Sequence, residues 1–298
     1  MPTLATFVVA ALVAITSLQV QAQSVTSSNQ PARQPGSFVP VENGQIYYEE
    51  CGSGTPTVVL IHDGIAHSAV WDQVWPAFCG KFHTIRYDRR GYGKSPASTT
   101  WYYETDDLAT LLRYLKVPRA VIVGSSHGGE LSIDFTLAHP DVVQELVLVG
   151  AVVSGFPYSD HFLNRGMENS KPLEKNDVKA AIANWSKDKY VLAPGHDAAQ
   201  KKLLEILSAS PTDLNHQDYA RPTQPALPRL HDIHVPTLIL TGDADIPDVH
   251  AHAGAIEAGI RGSRRVVLSD CGHLMYLERP EEFTKIVTGF IESNYPTN

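Results

Sequence analysis

The chain has 298 residues, enough for one large α/β domain with an insertion and a substantial core. Its formal net charge is −8 and it carries no basic run, which argues against a nucleic-acid partner. The first 22 residues read as a segment removed before folding. Leu4 to Val20 is apolar and uncharged, and Val20-Gln21-Ala22 is a small-x-Ala site before Gln23. That pattern predicts a secretory signal peptide over residues 1–22 and a secreted or periplasmic protein, with no stable membrane insertion after cleavage. No Lys or Arg precedes Arg33, so the usual positive start is missing. The alternative is an uncleaved membrane anchor, near the lower length limit for spanning. Residues 23–38, rich in Ser, Gln, Pro and Gly, read as a flexible leader.

Beyond Val41 the chain alternates between strand and helix patterns. Gln45 to Glu50 alternates like an edge strand, and Thr57 to Ile61 is a continuous apolar run, as a strand buried on both faces requires. Ser68 is placed to cap a helix carrying Val70, Trp71, Val74, Trp75 and Phe78. His83 to Asp88 reads as a strand, and Leu108, Leu111, Leu112 and Leu115 recur at helical spacing. Further strands are expected at Val121 to Gly124, Leu146 to Gly150, Val235 to Gly242 and Arg264 to Leu268, with a last helix from Pro280 to Ile291. Strands alternating with helices predict a mostly parallel sheet covered on both faces, with active groups at the strands' carboxyl ends. Between Val153 and Pro228 the alternation stops. The region is polar and helical in tendency, with candidate helices at Asp177 to Trp185 and Ala198 to Leu207.

Three β-branched residues, Val121 to Val123, run directly into Gly124-Ser125-Ser126-His127-Gly128. A strand feeding Gly-x-Ser-x-Gly and then a helix is the layout of a nucleophile elbow, which lifts Ser126 out of the sheet on a strained turn. The bland alternative is a glycine-rich strand end with two incidental serines. A serine hydroxyl needs a base, and the base an orienting acid. Downstream, Asp243 and Asp245 follow one strand end, and His273 closes the loop after another. The order Ser, Asp, His suits the elbow.

These motifs resemble the α/β-hydrolase superfamily, in its capped serine esterase and lactonase branch. Leu60-Ile61-His62-Asp63-Gly64 resembles its oxyanion loop, and Tyr87-Asp88-Arg89-Arg90-Gly91-Tyr92-Gly93-Lys94-Ser95 its Asp-x-Arg-Gly-x-Gly-x-Ser segment. The resemblance runs from about Val41 to the end. It implies the α/β-hydrolase fold: a core over residues 39–152 and 229–298, with a helical cap over residues 153–228. It places Ser126 as nucleophile, Asp245 as acid (Asp243 being the fallback) and His273 as base. It also places the backbone N–H groups of Gly64 and His127 as oxyanion donors, with no metal or organic cofactor.

Two departures stand out. Asp63 occupies a position where the family usually has glycine. Pointing inward it would weaken the oxyanion site; pointing away it would join local hydrogen bonds. His127 stands where the family often has an apolar or glutamine side chain, and its ring is expected to line the pocket. His62 resembles a structural histidine of the oxyanion loop. His67, His250 and His252 lack the spacing of metal ligands.

The cap is expected to draw its pocket wall from among Phe156, Tyr158, Phe162, Met167 and Trp185. Asn184-Trp185-Ser186 is a glycosylation sequon, meaningful in a eukaryotic secretory pathway. An exported chain permits disulfides. In this fold Cys51 and Cys79 both approach the lower side of the sheet, so they are either bridged or free, and Cys271 reads as a small buried hydrophobe. The implied reaction is hydrolysis of a small-molecule ester or lactone. Aminopeptidase, carbon–carbon hydrolase, hydroxynitrile lyase and perhydrolase chemistries stay open, as does a non-catalytic binding module. Family members that act as haloalkane dehalogenases or epoxide hydrolases carry aspartate at the nucleophile, which argues against those activities here.

Overall fold

The structure, a computed structural model, describes residues 36–295. The expected signal peptide and nearly all of the leader lie outside the described residues. Among these, eight strands form one sheet in the order β1-β2-β4-β3-β5-β6-β7-β8. The elements run β1 (Ser37–Val41), β2 (Gly44–Cys51), β3 (Thr57–Ile61), α1 (Trp75–Cys79), β4 (His83–Tyr87), α2 (Glu104–Tyr114), β5 (Ala120–Ser125), α3 (His127–Ala138) and β6 (Val143–Val149). They continue through α4 (Asp160–Ser170), α5 (Val178–Lys187), α6 (Asp197–Ala209), β7 (Thr237–Gly242), α7 (Pro247–Gly259), β8 (Arg264–Leu268), α8 (Met275–Glu278) and α9 (Pro280–Asn294).

From β4 across to β8 the strands pair in parallel; only the pairings β1–β2 and β2–β4 are antiparallel. The apolar runs of β3, β5, β6 and β7 are buried on both faces. Val58 and Leu60 point to one core, with Trp71, Phe78 and Phe283, and Val59 and Ile61 to the other, with Leu108, Leu111 and Phe135. Each such side chain contributes roughly 1.5–3 kcal/mol on full burial, and this fixes the strand register.

Three sequence expectations need correction. Gln45 to Glu50 is not at an edge, because β1 pairs with its outer side from Ser37↔Tyr48 to Val41↔Gly44. That added strand begins inside the stretch read as leader, where the tight turn at Glu42 and Asn43 returns the chain on itself. Ser68 does not cap a long helix. It lies within a short 3-10 turn, Ser68–Trp71, and its N–H donates to Asp88 Oδ1 at 3.0 Å. The helical pattern from Val70 to Phe78 is thus split into that turn and α1. In the inserted region α5 and α6 fall where the pattern suggested, and α4, none of whose residues is buried, precedes them.

Cys51 and Cys79 are joined by a disulfide, linking the end of β2 to the end of α1. Cys271 is free and fully buried, and burial pushes its thiol up to about 12, so it packs as an apolar group.

The topology locates the site. The chain leaves β3 toward β4 on one side and returns to β5 on the other. Neighbouring strands whose connections diverge leave a crevice beyond their carboxyl ends. Residues 62–67 follow β3 at that crevice, and Ser126 follows β5.

Candidate active site

Ser126 stands between β5 and α3 with φ 54° and ψ −116°, a conformation costly for a residue with a Cβ. The turn closes only because its flanks are glycine. A Cβ at Gly124 would strike the Gly128 carbonyl, and one at Gly128 the carbonyl of His62. Sequence and strain agree here: the tight crossing is what holds the serine outside the sheet.

Asp245 follows β7 and His273 follows β8. His273 Nδ1 donates to Asp245 Oδ2 at 2.8 Å, and the Asp245 side chain is fully buried. The other carboxylate oxygen accepts the Ile246 N–H at 2.7 Å. This geometry places the proton on Nδ1 and leaves Nε2 as the basic nitrogen. Burial works against a charged ring, but the Asp245 carboxylate outweighs it, so His273 titrates above the ordinary histidine range. Asp243, the fallback acid, accepts instead from the Cys271 N–H at 3.3 Å. Ser126, Asp245, His273 and Gly64 line one cavity of about 250 Å³, so four of the five expected site residues converge there.

The fifth, His127, is split between two places. Its N–H opens α3, where first-turn donors lack intrahelical partners. Its ring does not line this cavity, contrary to expectation. Nε2 bonds Glu104 Oε2 at 2.8 Å, and the ring borders a separate recess beside Asp134 and Arg221. The cause is Glu104, which draws the ring away. Burial opposes charge on His127, yet Glu104 raises it above the ordinary range.

Glu104 also joins the two arms of the crevice. Its Oε1 accepts from Arg89 Nη1 at 2.9 Å, and Arg89 Nη2 donates to the Asp63 carbonyl at 2.8 Å. One carboxylate therefore ties the residue after the serine to the loop after β3. Burial alone would push Glu104 up, but Arg89 and His127 hold it far below the usual carboxylate range.

The question left by Asp63 is answered by its partners. Oδ1 accepts the N–H groups of Ile65 at 2.7 Å and Ala66 at 3.0 Å, and Oδ2 accepts the Tyr276 hydroxyl at 3.1 Å. The Tyr276 oxygen lies 3.1 Å from Ser125 Oγ. The carboxylate is thus consumed in holding its own loop. His62 is fully buried with Nδ1 on the Asp63 carbonyl and Nε2 accepting from the Arg89 N–H. Burial drives it well below the ordinary range, and it serves as a neutral structural bridge. Tyr92 secures Gly64 through its carbonyl at 3.0 Å.

Of the proposed cap residues, Phe162 and Trp185 line the cavity. Phe156 and Tyr158 pack on His252 instead, and Met167 is 62% exposed. His67 pairs with Asp213, and among the described residues no group of three or more His, Cys, Asp or Glu could hold a metal ion. Sequence reasoning did not single out Glu104, Arg165 or Tyr276. A signal existed for Glu104, an acid at a helix start; none existed for Arg165 or for Tyr276, whose partner Asp63 is 213 positions away.

The profile of the alpha/beta hydrolase family matches residues 58–286. A 2-hydroxy-6-oxononadienedioate/2-hydroxy-6-oxononatrienedioate hydrolase of Paraburkholderia xenovorans (strain LB400) is 27% identical over 287 residues, covering 85% of this chain and 94% of the relative. The solved esterase of Exiguobacterium antarcticum is 26% identical with TM-score 0.74, covering 87% of this chain and 100% of that one. An enol-lactonase from Burkholderia xenovorans LB400 shares the fold at 22% identity and TM-score 0.72, covering 86% of this chain and 99% of that one. The chain belongs to the alpha/beta hydrolase family.

Proposed function

We propose that the protein is a serine hydrolase acting on a carboxylic ester or lactone of a small molecule. The observation that carries this reading is the strained Ser126, sharing a cavity with a histidine whose Nδ1 is held by a buried aspartate. Ser126 Oγ attacks the carbonyl carbon and His273 Nε2 takes its proton. Asp245 keeps the tautomer and stabilises the imidazolium. The Gly64 and His127 N–H groups receive the developing oxyanion. Collapse expels the alcohol, protonated by His273, and leaves an acyl-enzyme. Water activated by His273 then releases the acid. Every step is carried by these side chains and backbone groups.

The test is hydrolysis of p-nitrophenyl esters of graded chain length. Ser126→Ala is expected to lower turnover by about a million-fold, as in a comparable triad. A well-folded protein that cleaves no ester would overturn the reading. A second reading, hydrolysis of an unsaturated oxo-dioic acid, is favoured by the name of the Paraburkholderia relative.

We also propose export. The signal-like residues 1–22 and the Cys51–Cys79 bridge both suit an oxidising compartment. Mass spectrometry of the protein from its native host should find Gln23 at the N-terminus; an intact Met1 would point to the anchored alternative.

A further inference from the structure

The wall of the reaction cavity is mostly apolar where the cap closes over it, with Val152, Phe162, Trp185 and Val249 among its residues. One cap residue in that wall is a cation, Arg165, on α4. A guanidinium in such a place is costly to desolvate unless something meets it. Asp188 meets one part of it: Arg165 Nε donates to Asp188 Oδ2 at 2.7 Å. Asp188 has little left to offer, because Asn169 Nδ2 also bonds Oδ2 and the Tyr190 N–H holds Oδ1 at 2.8 Å. The ring faces of Trp185 and Tyr190 lie 5.4 and 5.6 Å from the guanidinium carbon. Among the described residues, no acceptor is hydrogen-bonded to either Nη of Arg165. Its side chain is 14% exposed, so the two Nη groups are met by the limited water that reaches the cavity mouth rather than by a protein acceptor.

Asp188 thus acts as a bracket. It fixes the guanidinium through Nε and leaves the forked Nη edge free, and that edge matches a carboxylate in a two-point hydrogen bond. Arg165 borders both the reaction cavity and a second recess beside His161 and Lys189, which puts it at the mouth. The same bracket reaches the base. Asp188 holds the Tyr190 N–H, and the carbonyls of Tyr190 and Val191 accept the His273 N–H at 2.9 and 3.0 Å.

We infer that Arg165 determines specificity, receiving the carboxylate of an anionic ester or lactone whose scissile carbonyl lies at Ser126. The inference rests on the ester or lactone reading and names its substrate class: acyl groups that end in a carboxylate. A neutral ester fills the same cavity but leaves the fork unpaired.

The experiment compares monomethyl and dimethyl esters of succinate, glutarate and adipate, followed by alkali uptake. The wild-type protein should favour the best monoester over its diester by about 10- to 100-fold in kcat/KM, the range expected for hydrogen bonds to a charged group. In Arg165→Met that ratio should fall toward one. Arg165→Lys, which keeps the charge and loses the fork, should retain part of it. A purely structural arginine would lower both substrates together and leave the ratio unchanged, which overturns the inference. So would a wild-type preference for the diester, a result that needs no variant to fold. Calorimetry with monomethyl glutarate and Ser126→Ala separates the two claims. Binding there that Arg165→Met abolishes, in a protein that cleaves no ester, would sink the esterase reading and keep the anion site. Ester cleavage without preference for the anion would do the reverse.

Discussion

Glu104 and Glu145 are both buried carboxylates, and the fold treats them in opposite ways. Glu104 lies at the carboxyl end of the parallel strands, between Arg89 and His127, and is held ionised far below its usual range. Glu145 lies near the start of β6, at the other end of the same sheet. Its residue is 1% exposed, and neither oxygen has a well-formed hydrogen bond among the described residues. Burial pushes it up to about 7, against a weaker opposing pull from Asn294. Where cations flank the carboxyl it stays ionised; where none do, burial favours its protonated form.

The largest expected effect at the partnered end comes from Asp245→Asn. The change keeps the shape but favours the wrong imidazole tautomer, and in a comparable triad it costs about 10⁴ in kcat. Its pH profile sharpens the point. Only the neutral His273 can accept the serine proton, so wild-type activity should fall as pH drops through the raised His273 value, above the ordinary range. Asp245→Asn removes the cause and should move that acid limb downward. A limb that stays in place would show that another group sets it.

How much of this was legible in the chain depends on distance along it. The elbow at Ser126 is local, since glycines two residues away on each side permit the turn, and five adjacent letters carry it. Asp245 and His273 were legible as candidates because each lies in the short loop after a strand, three and five residues past its end. Tyr276, by contrast, reaches Asp63 across 213 positions, and nothing near either residue announces the pairing. His127 misled for the same reason: its ring obeys Glu104, 23 residues away on another helix, rather than its own position beside Ser126. The β1–β2 pairing was missed because Ser37-Phe38-Val39-Pro40-Val41 is only five residues long, contains a proline and directly follows the polar leader, so it does not read as a strand until its partner is known. Arg165 was unreadable because its partner Asp188 lies 23 residues on, beyond α5, and nothing around either residue announces the pairing.

Glu104→Gln comes next in size. The substitution keeps the outline and removes the charge between two cations, leaving the guanidinium of Arg89, whose side chain is 4% exposed, without its counter-ion. Loss of one partner of a buried pair costs about 3 kcal/mol at the lower end of measured cases. The sign with pH follows from the depressed folded value. The stabilisation is complete above the unfolded carboxylate range and is lost as pH falls through the folded one. The Arg89 part of the deficit should therefore be constant from pH 6 to 8, whereas the His127 part, present while the ring is protonated, should make the total deficit measured by urea unfolding larger at pH 6 than at pH 8. The His127 ring should titrate lower by NMR, because its raising partner has gone. A variant as stable as wild type would mean that the Arg89–Glu104–His127 bridge does not hold the arms together.

Glu145→Gln applies the same chemical change to the unpartnered end, and the sign should reverse. Wild-type Glu145 holds its proton more tightly folded than unfolded, so folding loses stability as pH rises from the unfolded value toward about 7. Above that, the full penalty of ionising or exposing the buried carboxyl is present, on the order of 3 kcal/mol for a shift of this kind. An amide cannot ionise, so the variant should escape it. At pH 5 both proteins carry a neutral group there and should unfold at similar denaturant concentrations, whereas at pH 8 the variant should be the more stable. Activity should not change at either pH, since β6 meets the reaction cavity only beyond its far end. If the stability difference were the same at pH 5 and pH 8, ionisation would not be its source, and the contrast between the two glutamates would reduce to packing.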